Sequence, residues 1–235
     1  MDRSLRRVPA RSRNKQRGRR RVGGVVFGSV CLTAVLTMAF ATVGRAEDTT
    51  AVSDHDLQAK IAYCQTCHGP SGQGFHGFYP IPRLAGQQPE YLKNQIQAFI
   101  ERRRVNNIMF NVAHVLNPAM QTALIAHFNE LNPKPIGGAP KDLVPEGKKI
   151  FEEGIPDAKI PPCASCHGPD AKGNGPFPRL AGQLQDYIFK KLTNWTKERG
   201  QDPTKPDTSA IMEPIAHGLN ESQIKAVAAY LNYLE

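Results

Sequence analysis

Cysteine is scarce in this chain and none of it is spare. Of five cysteines in 235 residues, Cys31 lies in an apolar stretch near the N-terminus. The other four fall in two copies of one short motif, so none is left to form a structural disulfide. Methionine is almost as rare: beyond the N-terminal stretch only Met109, Met120 and Met212 remain. No run of residues alternates apolar and polar as a half-buried strand would, which argues against a sheet. An excess of positive charge is also missing from most of the chain, despite a formal net charge of +9. Residues 1–46 hold 11 basic side chains against Asp2 alone, and the rest has 19 basic and 20 acidic residues, a net charge near −1. A body this close to neutral has no electrostatic basis for binding nucleic acid.

What stands at the front is a basic stretch followed by an uncharged run from Val22 to Gly44. That is the layout of a secretory signal, with small-residue cleavage options after Ala41 and, preferred, after Ala46. The run is also long enough to remain as an N-terminal membrane anchor, since about 20 apolar residues span a bilayer. Either outcome exports the body, because the positive end stays inside. Val30 before Cys31 is too bulky for a lipoprotein cleavage site, and Arg20-Arg21 reads as charge only.

Cys-x-x-Cys-His occurs at Cys64–His68 (CQTCH) and at Cys163–His167 (CASCH), each followed by Gly-Pro. Two thiols one helical turn apart can each form a thioether to one vinyl group of a single porphyrin. The adjoining His68 or His167 is then held beneath the iron. A zinc site would want its Cys pairs roughly 15–20 residues apart, whereas Cys64 and Cys163 are 99 positions apart. A thioredoxin-like pair has no need of the His. The pattern predicts two covalently attached haem c groups, on Cys64 and Cys67 and on Cys163 and Cys166.

The motifs belong to a duplication. Pro82–Gln87 and Pro178–Gln183 both read PRLAGQ, and Met109 and Met212 stand in matching contexts, Ile-Met-Phe-Asn-Val-Ala-His and Ile-Met-Glu-Pro-Ile-Ala-His. Asn132–Pro145, rich in Pro and Gly, reads as a linker between the copies. The expected organisation is a leader over 1–46, one domain over 47–133, a linker over 134–144 and a second domain over 145–235. Each half is small for an apolar core alone but suited to wrapping a macrocycle. Helices are expected from Ser53-Asp54 to Tyr63, from Pro89 to about Arg103, and from Asn117-Pro118 to Leu131, on capping and periodicity. The second half repeats them over 145–153, 184–199 and 220–234.

His68 and His167 supply one axial ligand each, and the other decides the chemistry. Methionine sulphur stabilises ferrous iron, raises the potential and fills the site. Met109 and Met212 are repeat-equivalent and precede the last helix of each half, in stretches expected to be loops, so they are favoured as distal ligands. Met120 falls inside a helix, where a packing role is the simpler one. His114 and His217, each five residues after the methionine, keep bis-His ligation open, although a paired His serves equally well as a propionate or backbone partner.

With both motifs, the doubled PRLAGQ and the late methionines in place, residues from about 53 to 235 resemble the dihaem cytochrome c4 family. The resemblance implies an all-α protein of two tandem class I cytochrome c domains, each wrapped around one haem, with His/Met ligation and one-electron transfer in the periplasm. It also implies that Pro82 and Pro178 orient the proximal histidines through main-chain carbonyls. Arg83 and Arg179, which follow them, are placed to pair with haem propionates; a solvated surface Arg is the plainer alternative. One departure concerns the crossing of first and last helices. The second half offers Gly147 and Tyr230 for it, but the first has His127 and Phe128 at the matching place.

The leading expectation is a periplasmic carrier taking electrons from a quinol-oxidising membrane complex to a terminal oxidase or reductase. A dihaem peroxidase needs an open iron with acid–base groups above it, and neither half is distinguished in that way. A cytochrome subunit of a periplasmic dehydrogenase is the other alternative. Arg102-Arg103-Arg104 and Lys190-Lys191 are expected to be solvated helix faces.

Overall fold

A computed structural model describes residues 52–199 and 208–235; the expected leader, including Cys31, and the stretch Gln201–Asp207 lie outside the described residues. Among the described residues ten α-helices run in chain order. They are α1 Asp54–His68, α2 Pro89–Ile100, α3 Asn107–Ala113, α4 Pro118–Glu130, α5 Val144–Glu153, α6 Ala164–His167, α7 Gln185–Thr193, α8 Trp195–Glu198, α9 Met212–Gly218 and α10 Glu221–Tyr233. Among the described residues β-structure is limited to isolated bridges such as Phe75 to Ile81.

Helix α1 starts where Ser53 Oγ accepts from the Asp56 amide, with Asp54 and Asp56 placed favourably in its first turn. The expected end at Tyr63 is too early. Nothing from Cys64 to His68 breaks a helix, so α1 continues through the whole motif until Gly69, at φ 85°, ends it. In the second half Gly154, at φ 73°, stops α5 nine residues before the motif. Cys163 therefore stands at the N-cap of, and Cys166 within, the separate single turn of α6.

Two other helices end earlier than periodicity suggested. Helix α2 stops at Ile100, because the chain reverses at Arg102 with φ 58°. The expected helix over 184–199 divides at Asn194, whose Nδ2 donates to the Lys190 carbonyl and competes with the main-chain ladder. The stretches around Met109 and Met212, expected as loops, are short helices: α3, capped by Asn106, and α9. The last helix of each half is capped as expected, α4 by Asn117 and α10 by an Asn220–Gln223 capping box.

Packing follows the repeat unevenly. In the first half Ile61 of α1 meets a buried cluster of Leu92, Met120, Leu124 and Phe128. The second-half core is larger, built on Ile150, Phe151, Ile188, Val227 and Leu231 with four buried alanines, Ala171, Ala181, Ala226 and Ala228, around them. Each such large side chain taken out of water contributes about 1.5–3 kcal/mol. Helices α5 and α10 cross so closely that a Cβ on Gly147 would stand 2.0 Å from the Ala226 carbonyl oxygen. Tyr230 flanks that crossing, its ring 5.6 Å from Phe151. Helix α1 has no glycine, and in α4 it is Phe128 that enters the core, with His127 set edge-on to it.

The segment joining the halves is pinned to the second one. Asn232, fully buried, accepts from the Ala139 amide and donates to the Gln183 carbonyl, and the Tyr233 hydroxyl donates to the Ala139 carbonyl. Between the halves, Gln88 donates to the Lys172 carbonyl and the Val105 amide to the Glu198 carbonyl.

Candidate cofactor sites

In the first site α1 presents Cys64, half-buried, and Cys67, exposed, and ends on His68. The His68 ring is 8% exposed and its Nδ1 lies 2.9 Å from the Pro82 carbonyl oxygen. A carbonyl can only accept, so Nδ1 carries the proton and Nε2 keeps a lone pair for a metal. The second site repeats this: His167, 4% exposed, has Nδ1 2.9 Å from the Pro178 carbonyl. Burial pushes both imidazoles below their usual range, against the opposing pull of those carbonyls. Both rings are thus kept neutral, the state a metal requires.

The thiols are tuned differently from those of a zinc or redox pair, which are pulled down toward thiolate. Burial raises Cys64, and it raises Cys163 to about 11. All four cysteines are unpaired. Among the described residues no three His, Cys, Asp or Glu side chains converge as a structural zinc site demands. A metal held here would bring its equatorial ligands with it, which is what an iron porphyrin does.

Met109 lies in the first turn of α3 and Met212 opens α9, and both are half-buried. Met120 is 9% exposed and belongs to the first-half core. Both rival histidines are engaged elsewhere and exposed. His114 stacks on Phe110 and its Nδ1 donates to the Phe110 carbonyl, while His217 Nε2 is 2.8 Å from Thr196 Oγ1.

Arg83 and Arg179 are not solvated surface residues, being 3% and 7% exposed. Arg83 donates through Nε to the Ala85 carbonyl and through Nη2 to the Pro133 carbonyl; Arg179 donates through Nε to the Ala181 carbonyl. Each retains a buried nitrogen without a partner, Nη1 of Arg83 and Nη2 of Arg179. Burial, then the like charge of Arg179, bring Arg83 down to about 10; burial lowers Arg179 against the pull of Asp170. Two buried guanidiniums with an orphan N–H each call for an anion, and a carboxylate has the complementary shape. The indole Nε1 of Trp195 is likewise buried and unpartnered. The residues present fit a haem with its two carboxylates.

Two further groups were missed from sequence. Gln87 and Gln183, the last residues of the two PRLAGQ copies, are 5% and 6% exposed and reach across to the opposite half. Gln183 Oε1 accepts from the Arg83 amide at 2.8 Å and its Nε2 donates to the Arg83 carbonyl at 3.1 Å. Gln87 does the same to Arg179, at 2.7 and 3.0 Å. The second group corrects the expectation of solvated helix faces. Arg104, 8% exposed, donates to Gln95 Oε1 and the Tyr187 hydroxyl; Arg199, 6% exposed, donates to the same Gln95 oxygen and the Tyr91 hydroxyl. Lys191 touches Glu198 beside them. The signal was available, because Tyr91 and Tyr187 occupy the same place in the repeat.

Comparison with known proteins gives one answer. A family model for Cytochrome c matches residues 56–134 and again 144–235. Cytochrome c-552 of Acidithiobacillus ferridurans is 40% identical over 177 residues, 73% of each chain. A thiosulfate dehydrogenase electron acceptor of Thiomonas intermedia (strain K12) is 34% identical, covering 73% of this chain and 78% of its own. The solved structure of cytochrome c4 from Acidithiobacillus ferrooxidans superposes with a TM-score of 0.62 at 39% identity, over 74% of this chain and 99% of that one.

Proposed function

The chain belongs to the dihaem cytochrome c4 family, with two covalently bound haem c groups, and on that premise we propose how its residues carry electrons and between which partners. Cys64 and Cys67 anchor one haem and Cys163 and Cys166 the other; His68 and His167 are the proximal ligands and Met109 and Met212 the distal ones. Each haem supplies a reversible one-electron site. The protein's share is to hold the imidazoles neutral and oriented on Pro82 and Pro178, to bury Arg83 and Arg179 against the propionates, and to close the distal side with a thioether so that oxygen and peroxide stay out. The domains span 47–133 and 145–235, the 134–144 segment links them, and the 1–46 leader directs them to the periplasm. Membrane-bound redox complexes are the partners: a quinol-oxidising donor and a terminal oxidase or reductase.

The observation that carries this reading is the matched pair of buried histidines, each with Nδ1 on the carbonyl of a PRLAGQ proline, and each paired through the repeat with a half-buried methionine. Spectra of the ferric holoprotein test it. Two low-spin centres with a sulphur-to-iron charge-transfer band and slow cyanide binding are expected, and Met109→Ala or Met212→Ala should open one centre each to cyanide. A high-spin centre in the wild type would reinstate peroxidase chemistry. The relative named as a thiosulfate dehydrogenase electron acceptor favours a second reading, in which a periplasmic dehydrogenase is the donor. Reduction of the purified protein by that enzyme with thiosulfate, compared with reduction by a quinol-oxidising complex, decides between the two donors.

A further inference from the structure

The two histidine sites are wired to each other through the glutamines, at the level of a single peptide group. The Pro82 carbonyl that accepts from His68 Nδ1 and the Arg83 amide that donates to Gln183 Oε1 are the two ends of one planar peptide. In the other half, the Pro178 carbonyl on His167 and the Arg179 amide on Gln87 Oε1 form the same pair. Donation from a peptide N–H polarises its own C=O and makes that oxygen a better acceptor. Each glutamine also takes the next carbonyl through Nε2, so the peptide cannot rotate about its ends. The contacts are sealed from water, with Arg83, Arg179, Gln87 and Gln183 all buried.

We propose that Gln183 and Gln87 are crossed positioning residues: Gln183, in the second half, sets the orientation and basicity of His68, and Gln87, in the first half, sets those of His167. The inference rests on His68 and His167 being the proximal ligands. A well-polarised carbonyl draws on the Nδ1 proton, which makes the imidazole a stronger donor and favours ferric iron. Loss of a glutamine weakens that bond and raises the potential of the centre in the opposite half. Separation of the halves would then change both potentials together, so redox state and interface geometry are linked through these four hydrogen bonds.

The test uses the full holoprotein with Gln183→Met and Gln87→Met, which keep side-chain length and remove both hydrogen bonds. A redox titration is followed through the hyperfine-shifted proton resonances, which report each centre separately. Met109→His and Met212→His assign the two sets of resonances. Gln183→Met is expected to raise the potential of the His68 centre alone, seen as a several-fold gain in its ferrous-to-ferric ratio at fixed ambient potential. Gln87→Met should do so for the His167 centre alone. Each variant is the control for the other, because a purely structural role would loosen the interface in both and move neither centre selectively. Shifts in the same half as the substitution, in both centres equally, or in neither would overturn the proposal. A wild type in which the assignment variants leave both sets of resonances in place would overturn the ligation as well.

Discussion

Lys191 is the residue on which the buried polar cluster between the halves is least comfortable. Burial, followed by the like charges of Arg104, Arg199 and Lys190, brings it down to about 7, outweighing the Glu198 carboxylate that it touches. The ordinary lysine value is 10.5. Between about 7 and 10.5 the unfolded chain therefore binds a proton that the folded one does not, and stability rises with pH across that window. Tyr91 adds to the rise near its top, since Arg199 and Arg104 hold it below its usual range in spite of its burial. The urea midpoint of the oxidised holoprotein should climb from pH 7 to pH 9, and Lys191→Met should abolish the climb. A flat wild-type profile would place the Glu198 pairing above the three cations. None of this was legible in the sequence, where Lys190-Lys191 and Arg102–Arg104 read as solvated charge. Whether a basic residue faces water or a neighbouring domain is decided by how two halves dock, which periodicity within one helix does not report. The cysteines, His68 and His167 were legible because their spacing is itself the chemistry, whereas Pro82 and Pro178 were legible only through the family resemblance.

At the scale of the element, the crossing of α5 and α10 separates the two halves. Gly147 leaves room for the Ala226 carbonyl, and any Cβ there would need backbone to move. Gly147→Ala is expected to cost about 1–3 kcal/mol, as other overpacked sites do, or roughly 4–8 °C in Tm per kcal/mol for a domain of this size. Gly218→Ala is the control: its Cβ meets the tip of the Ile160 side chain at 3.2 Å, and melting should barely change. Both are read by thermal melts followed in the far ultraviolet, with the haem spectrum as a check that ligation survives. Equal melting of the two variants would mean that the crossing relaxes without cost. The sequence pointed to this crossing through Gly147 and Tyr230, and the caps Ser53, Asn117 and Asn220 located three helix starts. Helix ends were less visible. Arg102 and Asn194 break their helices through a turn and a side-chain bond that local propensity does not encode.

Across the whole molecule, one sequence repeat has produced two domains of unequal support. Among the described residues the first-half core cluster has five buried side chains, Ile61, Leu92, Met120, Leu124 and Phe128, and no glycine in α1 to mediate a close crossing. The second has nine, a close α5–α10 contact, and the joining segment tied down through Asn232 and Tyr233. Burial on this scale stabilises in rough proportion to apolar area, so the first half should open at lower free energy. The interface resists that asymmetry, because separating the halves leaves Gln87, Gln183 and the Arg83 and Arg179 peptides to find new partners. Opening of the first half by itself is therefore expected only as far as the interface permits: α1 and α4 should fluctuate while the Arg83–Gln183 contact holds. Native-state hydrogen exchange on the oxidised holoprotein checks this. Amides of α4 should exchange faster than those of α10, and the Arg83 and Arg179 amides should be protected as strongly as α10. Gln183→Met should bring the Arg83 amide down to the rate of α4 and leave α10 unchanged. If α4 and α10 exchange at one rate in the wild type, the two domains unfold as a unit and the interface, rather than either core, sets the stability of the protein.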